Sequence, residues 1–201
     1  MKTSTIDRIA SRLRVPGNAK GVATVELALV LPLLVVLVLG VYELSQAIAA
    51  NNVITNMSRE GANLASRTGT SPQEIMKALG ETASQIDVHD NGIIYLTRIL
   101  QTNISSSGKK GPQVLEQYRW GGASLADAPE SRVWVCDRAN NWVNDQCDIE
   151  PDIHSATRTA DLDMPLNAGE EVVVMEVFYL YQPVLSLFKT ASRPLYSRTL
   201  L

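Results

Sequence analysis

The sequence predicts an α+β protein: a long N-terminal membrane-spanning helix, then a small domain with a short helix and an antiparallel β-sheet. Three features carry that prediction. Residues 22–42 form an apolar run in which Glu26 is the one charge. Ser71-Pro72-Gln73-Glu74 is a helix start, with a capping hydroxyl, Pro at the first helical position and Glu three residues after the cap. Residues 172–181 alternate, so that Val173, Met175, Val177, Tyr179 and Tyr181 share one face while Glu176 points to the other. Helices first and strands after is the order of an α+β layout.

The charge is distributed unevenly. Residues 1–21 hold Lys2, Arg8, Arg12, Arg14 and Lys20 against Asp7, so a head of net +4 precedes a body of net -7 within a total of -3. A basic head and an acidic body on either side of an apolar run set an orientation: the head stays in the cytoplasm and the body lies outside. The acidic body also argues against nucleic acid as a partner, because phosphate contacts need clustered Lys and Arg. Lys109-Lys110 is the one basic pair of the body, and its Ser/Gly-rich setting reads as a solvated loop.

At 1.5 Å per residue the run over residues 22–42 spans about 31 Å, the thickness of a bilayer core. Pro32 removes a backbone donor and crowds the carbonyl of Ala28, which predicts a kink, and Gly40 weakens the outer end. Glu26 opposes insertion: an acidic residue costs about 2.5–3.5 kcal/mol at a helix centre and less near an end. Two readings of it stay open, a carboxylate in the headgroup region and a carboxylate paired with a cation. A secretory signal peptide competes for the same segment, with residues 27–41 as its apolar core and Ala47-Ile48-Ala49 as a small-x-small cleavage site. Such a leader exceeds the usual length of about 15–30 residues.

Beyond the membrane the helix continues. Ala47, Ala50, Ile54, Met57, Gly61 and Leu64 recur at alternating spacings of three and four, the pattern of a helix-packing seam. That seam packs either on neighbouring helices or on the chain's own domain. Thr68-Gly69-Thr70 ends the helix, and Ile75, Leu79 and Ile86 give a second helix that runs to Ile86. Asn91-Gly92 then signals a turn. Residues 93–101 and 114–120 read as strands joined through a hairpin loop at 105–111, and residues 132–136 as a further short strand. The near-continuous apolarity of 172–181 marks a central strand that Pro183 ends. Residues 123–169 are polar and long for a loop, and they contain both cysteines.

Cys136 and Cys147 are the only cysteines. In an exported domain a lone pair is most simply a disulfide, and in a reducing compartment two thiols. A metal site with His154 has no CxxC or HxxxH spacing behind it, so no metal is expected. His89 beside Asp90, and His154 near Asp152 and Ser155, are the only histidine settings. No nucleophile elbow, phosphate loop, HExxH or dinucleotide fingerprint accompanies them, so neither catalytic residues nor a cofactor is expected.

The order of basic arm, Gly21, Val22-Ala23-Thr24-Val25, Glu26 and apolar helix resembles the class III signal peptide of type IV pilins and pseudopilins. Residues 21–34, Gly-Val-Ala-Thr-Val-Glu-Leu-Ala-Leu-Val-Leu-Pro-Leu-Leu, and the later Ser58-Arg59-Glu60-Gly61-Ala62, are similar to TadE-like minor pilins of tight-adherence (Flp-type) pili. The resemblance covers about residues 20–67. It implies a prepilin leader over 1–21 and a transmembrane and extended pilin helix over 22–67; the α+β body read above, residues 68–201 with the disulfide-containing region at 123–169, would then lie in the periplasm. It implies cleavage between Gly21 and Val22 by a prepilin peptidase. Glu26, fifth in the mature chain, would neutralise the new amine of a neighbouring subunit. The implied partners are other pilins and minor pilins and the inner-membrane pilus assembly platform. The implied location is the bacterial inner membrane, single-pass, or the extracellular pilus itself. The competing classes are a signal-anchored periplasmic enzyme and an envelope-binding or scaffold protein that keeps its leader.

Overall fold

One helix accounts for a quarter of the chain. The computed structural model describes residues 19–102, 111–122, 128–136, 142–149, 158–183 and 194–201. Helix α1 runs Ala19–Arg67 and passes through Pro32 without ending. It stops where expected. Thr68 turns its own amide (2.9 Å) and its hydroxyl (2.8 Å) back on the carbonyl of Leu64, and Arg98 reaches the carbonyl of Ala65. A guanidinium at this end also complements the negative pole of the helix. By compactness the chain divides into Met1–Leu44 and Ser45–Leu201, so the second unit takes in the last part of α1 as well as everything beyond Arg67.

Helix α2, Pro72–Thr82, starts at the capping box: Ser71 accepts the amide of Glu74 at 3.3 Å. It is shorter than the apolar stripe predicts. The Thr82 hydroxyl bonds back to the carbonyls of Ala78 and Leu79, and Asp87 opens a new one-turn helix α3, Val88–Asn91, by capping Asp90. Ile86 sits in the turn between them, still packed on the core.

The described strands form one antiparallel sheet in the order β3-β4-β2-β1-β5-β6. They are β1 Gly92–Thr102, β2 Gly111–Gly121, β3 Trp142–Val143, β4 Gln146–Cys147, β5 Glu171–Tyr179 and β6 Leu195–Leu200. The three longest lie where the sequence places them, and β5 is internal, between β1 and β6. The strand expected over residues 132–136 does not form; Arg132 and Val133 are bends and the rest is irregular. Most of the hairpin loop expected at 105–111 lies outside the described residues, and Gly111 itself already belongs to β2. Between Arg98 and Ile99 the β1–β2 register slips past Leu115, a bulge whose carbonyls at Val114 and Leu115 accept from the buried Arg158 guanidinium.

Alternation divides the sheet into two buried faces. Ile94, Leu96, Val173, Met175 and Val177 meet Ile54, Met57 and Ala62 of α1 and Ile75, Met76 and Leu79 of α2. The opposite face carries Ile99, Val114, Val172 and Val174 at one end and Ile93, Tyr95 and Phe178 at the other. Irregular segments cover it, supplying Val133, Ala160 and Ala128.

What holds those irregular segments is side-chain chemistry instead of a ladder. Glu176, fully buried in β5, accepts from the Ser131 hydroxyl, the Arg132 amide (3.0 Å) and the Tyr196 hydroxyl (2.9 Å). The Arg132 guanidinium lies 4.1 Å from the Tyr196 ring centroid. Gln117 donates to Thr97 and to the carbonyl of Trp134, and Tyr95 donates to the carbonyl of Pro129. Burial pushes the Tyr95 phenol up to about 12, so it stays a donor at any physiological pH. A disulfide joins Cys136 to Cys147 with the α-carbons 6.0 Å apart.

One glycine sets the spacing between α2 and the sheet. A β-carbon on Gly80 would lie 2.1 Å and 2.2 Å from ring atoms of Trp120. Ala normally stabilises a helix interior relative to Gly by roughly 0.5–1 kcal/mol. Here a rigid indole must move instead, so Gly80→Ala should lower stability by about 1–3 kcal/mol, the range for overpacking. Thermal unfolding followed by tryptophan fluorescence checks the sign.

Candidate functional site

The described part of the first compact unit, from residue 19 on, is helical and largely apolar. Over residues 25–44 every large apolar side chain is at least 36% exposed, and Leu29 reaches 73%. Fully burying one such side chain is favourable by about 1.5–3 kcal/mol. A surface of this size therefore needs lipid or another apolar surface over it. By length and composition it is the one helix among the described residues able to cross a membrane. Glu26 is exposed among these apolar neighbours, near the N-terminal end of α1. Pro32 lies a turn and a half further on, inside the helix.

Gly21 is exposed, and a β-carbon built on it would meet nothing within 4 Å. Gly40 and Gly69 are equally open. The fold of the chain itself therefore places no demand for glycine at residue 21. A requirement for it would come from something that approaches this backbone from outside.

The seam residues follow a different course. Ala50, Ile54 and Met57 are buried in the core formed with the sheet, and Ala47 is half-buried. Gly61 is buried too, where a β-carbon would come within 2.5 Å of the Met175 methyl and 2.7 Å of a Leu79 methyl. Of the two packing partners open to the seam, the chain's own domain takes Ala50, Ile54, Met57 and Gly61. Leu64 departs from the pattern: it is 38% exposed, and Ala62 and Ala65 are buried in its stead. A straight α-helix drifts by about 20° per heptad from a 3.5-residue repeat, so a stripe that starts at Ala50 leaves Leu64 behind. Ser58, also buried in this stripe, bonds to the hydroxyls of Ser197 (2.8 Å) and Thr199 (3.0 Å). No apolar periodicity could have found that contact.

No catalytic geometry assembles among the described residues. His89 lies 2.8 Å from Asp90 and edge-on to Trp120, with no nucleophile bonded to it. His154, Asp152 and Ser155 lie outside the described residues. Among the described residues no group of three or more His, Cys, Asp or Glu could hold a metal ion. One cleft of about 720 Å3 among the described residues is open and lined by Gln73, Glu116, Asn144, Gln146 and Asp148 beside Leu115, Val143 and Ile149. Functional residues that the sequence reading passed over are structural: Arg98 ties the end of α1 to Glu116 (3.2 Å) and Glu171, and Glu176 anchors the second face.

Neither the curated proteins nor the solved structures contain a match to this chain. The chain does carry a TadE-like segment: residues 21–63, which take in Gly21, Glu26, Pro32 and the buried stripe as far as Gly61, match the family described as TadE-like protein.

Proposed function

We propose that this chain is a non-enzymatic minor pilin or pseudopilin of a tight-adherence pilus, cut between Gly21 and Val22 and assembled through its apolar helix. The observation that carries the reading is the spacing of Gly21 and Glu26 ahead of an exposed, membrane-length helix, inside the TadE-like match. The basic head of residues 1–21 stays in the cytoplasm, and the acidic domain lies in the periplasm. A prepilin peptidase approaches the open backbone at Gly21 and releases the Val22 amine. That amine is a cation at the membrane surface, four residues from a carboxylate with nothing else nearby in sequence to neutralise it. Glu26 pairs with the amine of a neighbouring subunit, which offsets the cost of holding a carboxylate in apolar surroundings.

Partners follow from this: the peptidase, other pilins and minor pilins, and the inner-membrane assembly platform. Surface adhesion and biofilm formation are the cellular outputs. The seam residues Ala50, Ile54, Met57 and Gly61 serve the subunit's own domain, so contact between subunits falls to the exposed apolar surface of residues 25–42.

Intact-mass measurement of the protein from membranes tests the cut. A chain beginning at Val22 is expected; one beginning at Met1 or Ala50 contradicts it. Gly21→Leu should leave the domain folded, because the space is open, and abolish processing. The role of the carboxylate is tested by Glu26→Leu. Removing the charge should leave insertion intact, or improve it by up to about 2–3 kcal/mol on the insertion scale. Assembly into pili, read by sheared-filament immunoblot, should fall at least tenfold; normal assembly would rule out the charge pairing.

A further inference from the structure

We propose that the Cys136–Cys147 disulfide is a redox-controlled guard of the β2 edge. In the oxidised chain it holds the β3–β4 hairpin shut over that edge, and in the reduced chain the hairpin is free to leave while the rest of the sheet stays folded. The inference concerns the domain and does not depend on the assembly reading.

The outer edge of β2 is covered in three pieces. At one end Thr159 bridges to Gln113 and the Ala160 amide donates to the carbonyl of Pro112 (2.9 Å). In the middle the Arg158 guanidinium occupies the carbonyls of Val114 and Leu115. At the other end the hairpin contributes a single ladder pair, Tyr118 with Gln146, and one backbone bond from the Arg119 amide to the carbonyl of Asp145 (2.8 Å).

The third piece is intrinsically weak. Each of its strands is two residues long, and an isolated hairpin is marginal even at greater length. Its turn is favourable, since Asn144 and Asp145 take the left-handed conformations of a type I′ turn (φ 51° and 61°). Its ion pair, Arg119 with Asp145, is largely solvated and worth little. Arg119 also lies 4.6 Å from the Trp142 ring centroid.

The other end of the disulfide is firm. Cys136 ends the segment whose Ser131 and Arg132 are fixed by Glu176, whose Pro129 accepts from Tyr95 and whose Trp134 accepts from Gln117. The covalent bond thus adds the anchorage of that segment to a hairpin whose own hold, among the described residues, is one ladder pair, one backbone bond and the packing of Trp142 beside Tyr95 and Arg119. Both cysteines are buried, so a reductant meets the bond only on local opening. Opening it takes two electrons and two protons from a dithiol reductant: the cystine becomes two thiols and the dithiol becomes a disulfide. With the hairpin gone, the Arg119 amide on the outer edge of β2 loses its backbone acceptor, and an unpaired edge group of this kind is the template on which another strand adds. The edge is then available in a reducing compartment and closed in an oxidising one.

Amide hydrogen exchange on the full chain in detergent micelles tests this, comparing the oxidised protein with the Cys136→Ser/Cys147→Ser variant and with wild type reduced by dithiothreitol. The Arg119 amide should exchange at least about tenfold faster in the variant and the reduced protein, while the β1 and β5 amides of Leu96 and Met175 keep their protection. Unchanged protection at Arg119 overturns the proposal. So does loss of protection at Leu96 and Met175 together with Arg119, which would make the bond a staple of the whole domain.

Discussion

An apolar helix with a single carboxylate is satisfied neither by water nor by lipid. Over residues 25–42 the large side chains of α1 are exposed and, Glu26 apart, apolar, so water is the wrong solvent for them. Glu26 makes hydrocarbon an imperfect one. A surface with those two properties is complete only when a second molecule supplies both apolar cover and a positive charge. On the proposed function, cleavage at Gly21 would create such a charge at the start of each mature copy, and the cation would not exist until the leader was gone.

The domain depends on a different arrangement, in which each face of one sheet is closed by its own means. On one face the closure is apolar and regular: α1 and α2 lie on Leu96, Met175 and Val177, and Gly61 and Gly80 bring the helices close. On the other face the closure is polar and irregular. Glu176 there stands in for a ladder, collecting a hydroxyl and an amide from residues 131–132 and a phenol from β6. Removing such a carboxylate leaves several buried donors without an acceptor, at about 1–3 kcal/mol each. The disulfide belongs to this second face, and it extends the reach of Glu176 to the far edge of the sheet.

Local chemistry was legible in the sequence; edges were not. The cap at Ser71 needs only four residues to be recognised, and the alternation of β5 is complete within the strand itself. Gly21 and Glu26 stand out for the same reason, a fixed spacing ahead of a long apolar run. Strand β6 was missed because Ser197 and Thr199 face the hydroxyl of Ser58, so its inward positions are polar and no apolar alternation marks it. Strands β3 and β4 are too short for any pattern, although Asn144-Asp145 is a turn signal. Residues 132–136 imitate a strand through Val133 and Val135, yet their backbone is positioned by Glu176 and Gln117 from other strands. Leu64 fell on the wrong side because a 3.5-residue repeat was extended along a helix that turns every 3.6 residues.

In the proposed assembly Glu26 of one subunit meets the Val22 amine of another. Zero-length carbodiimide cross-linking in native membranes, followed by peptide mass spectrometry of the dimer band, reads that contact directly. The expected product is an amide between the Val22 nitrogen and the Glu26 side chain, joining two chains and absent from Gly21→Leu, in which the amine is never released. Cross-linked pilus subunits that lack this amide, or the same yield of dimer from the uncleaved variant, would contradict it.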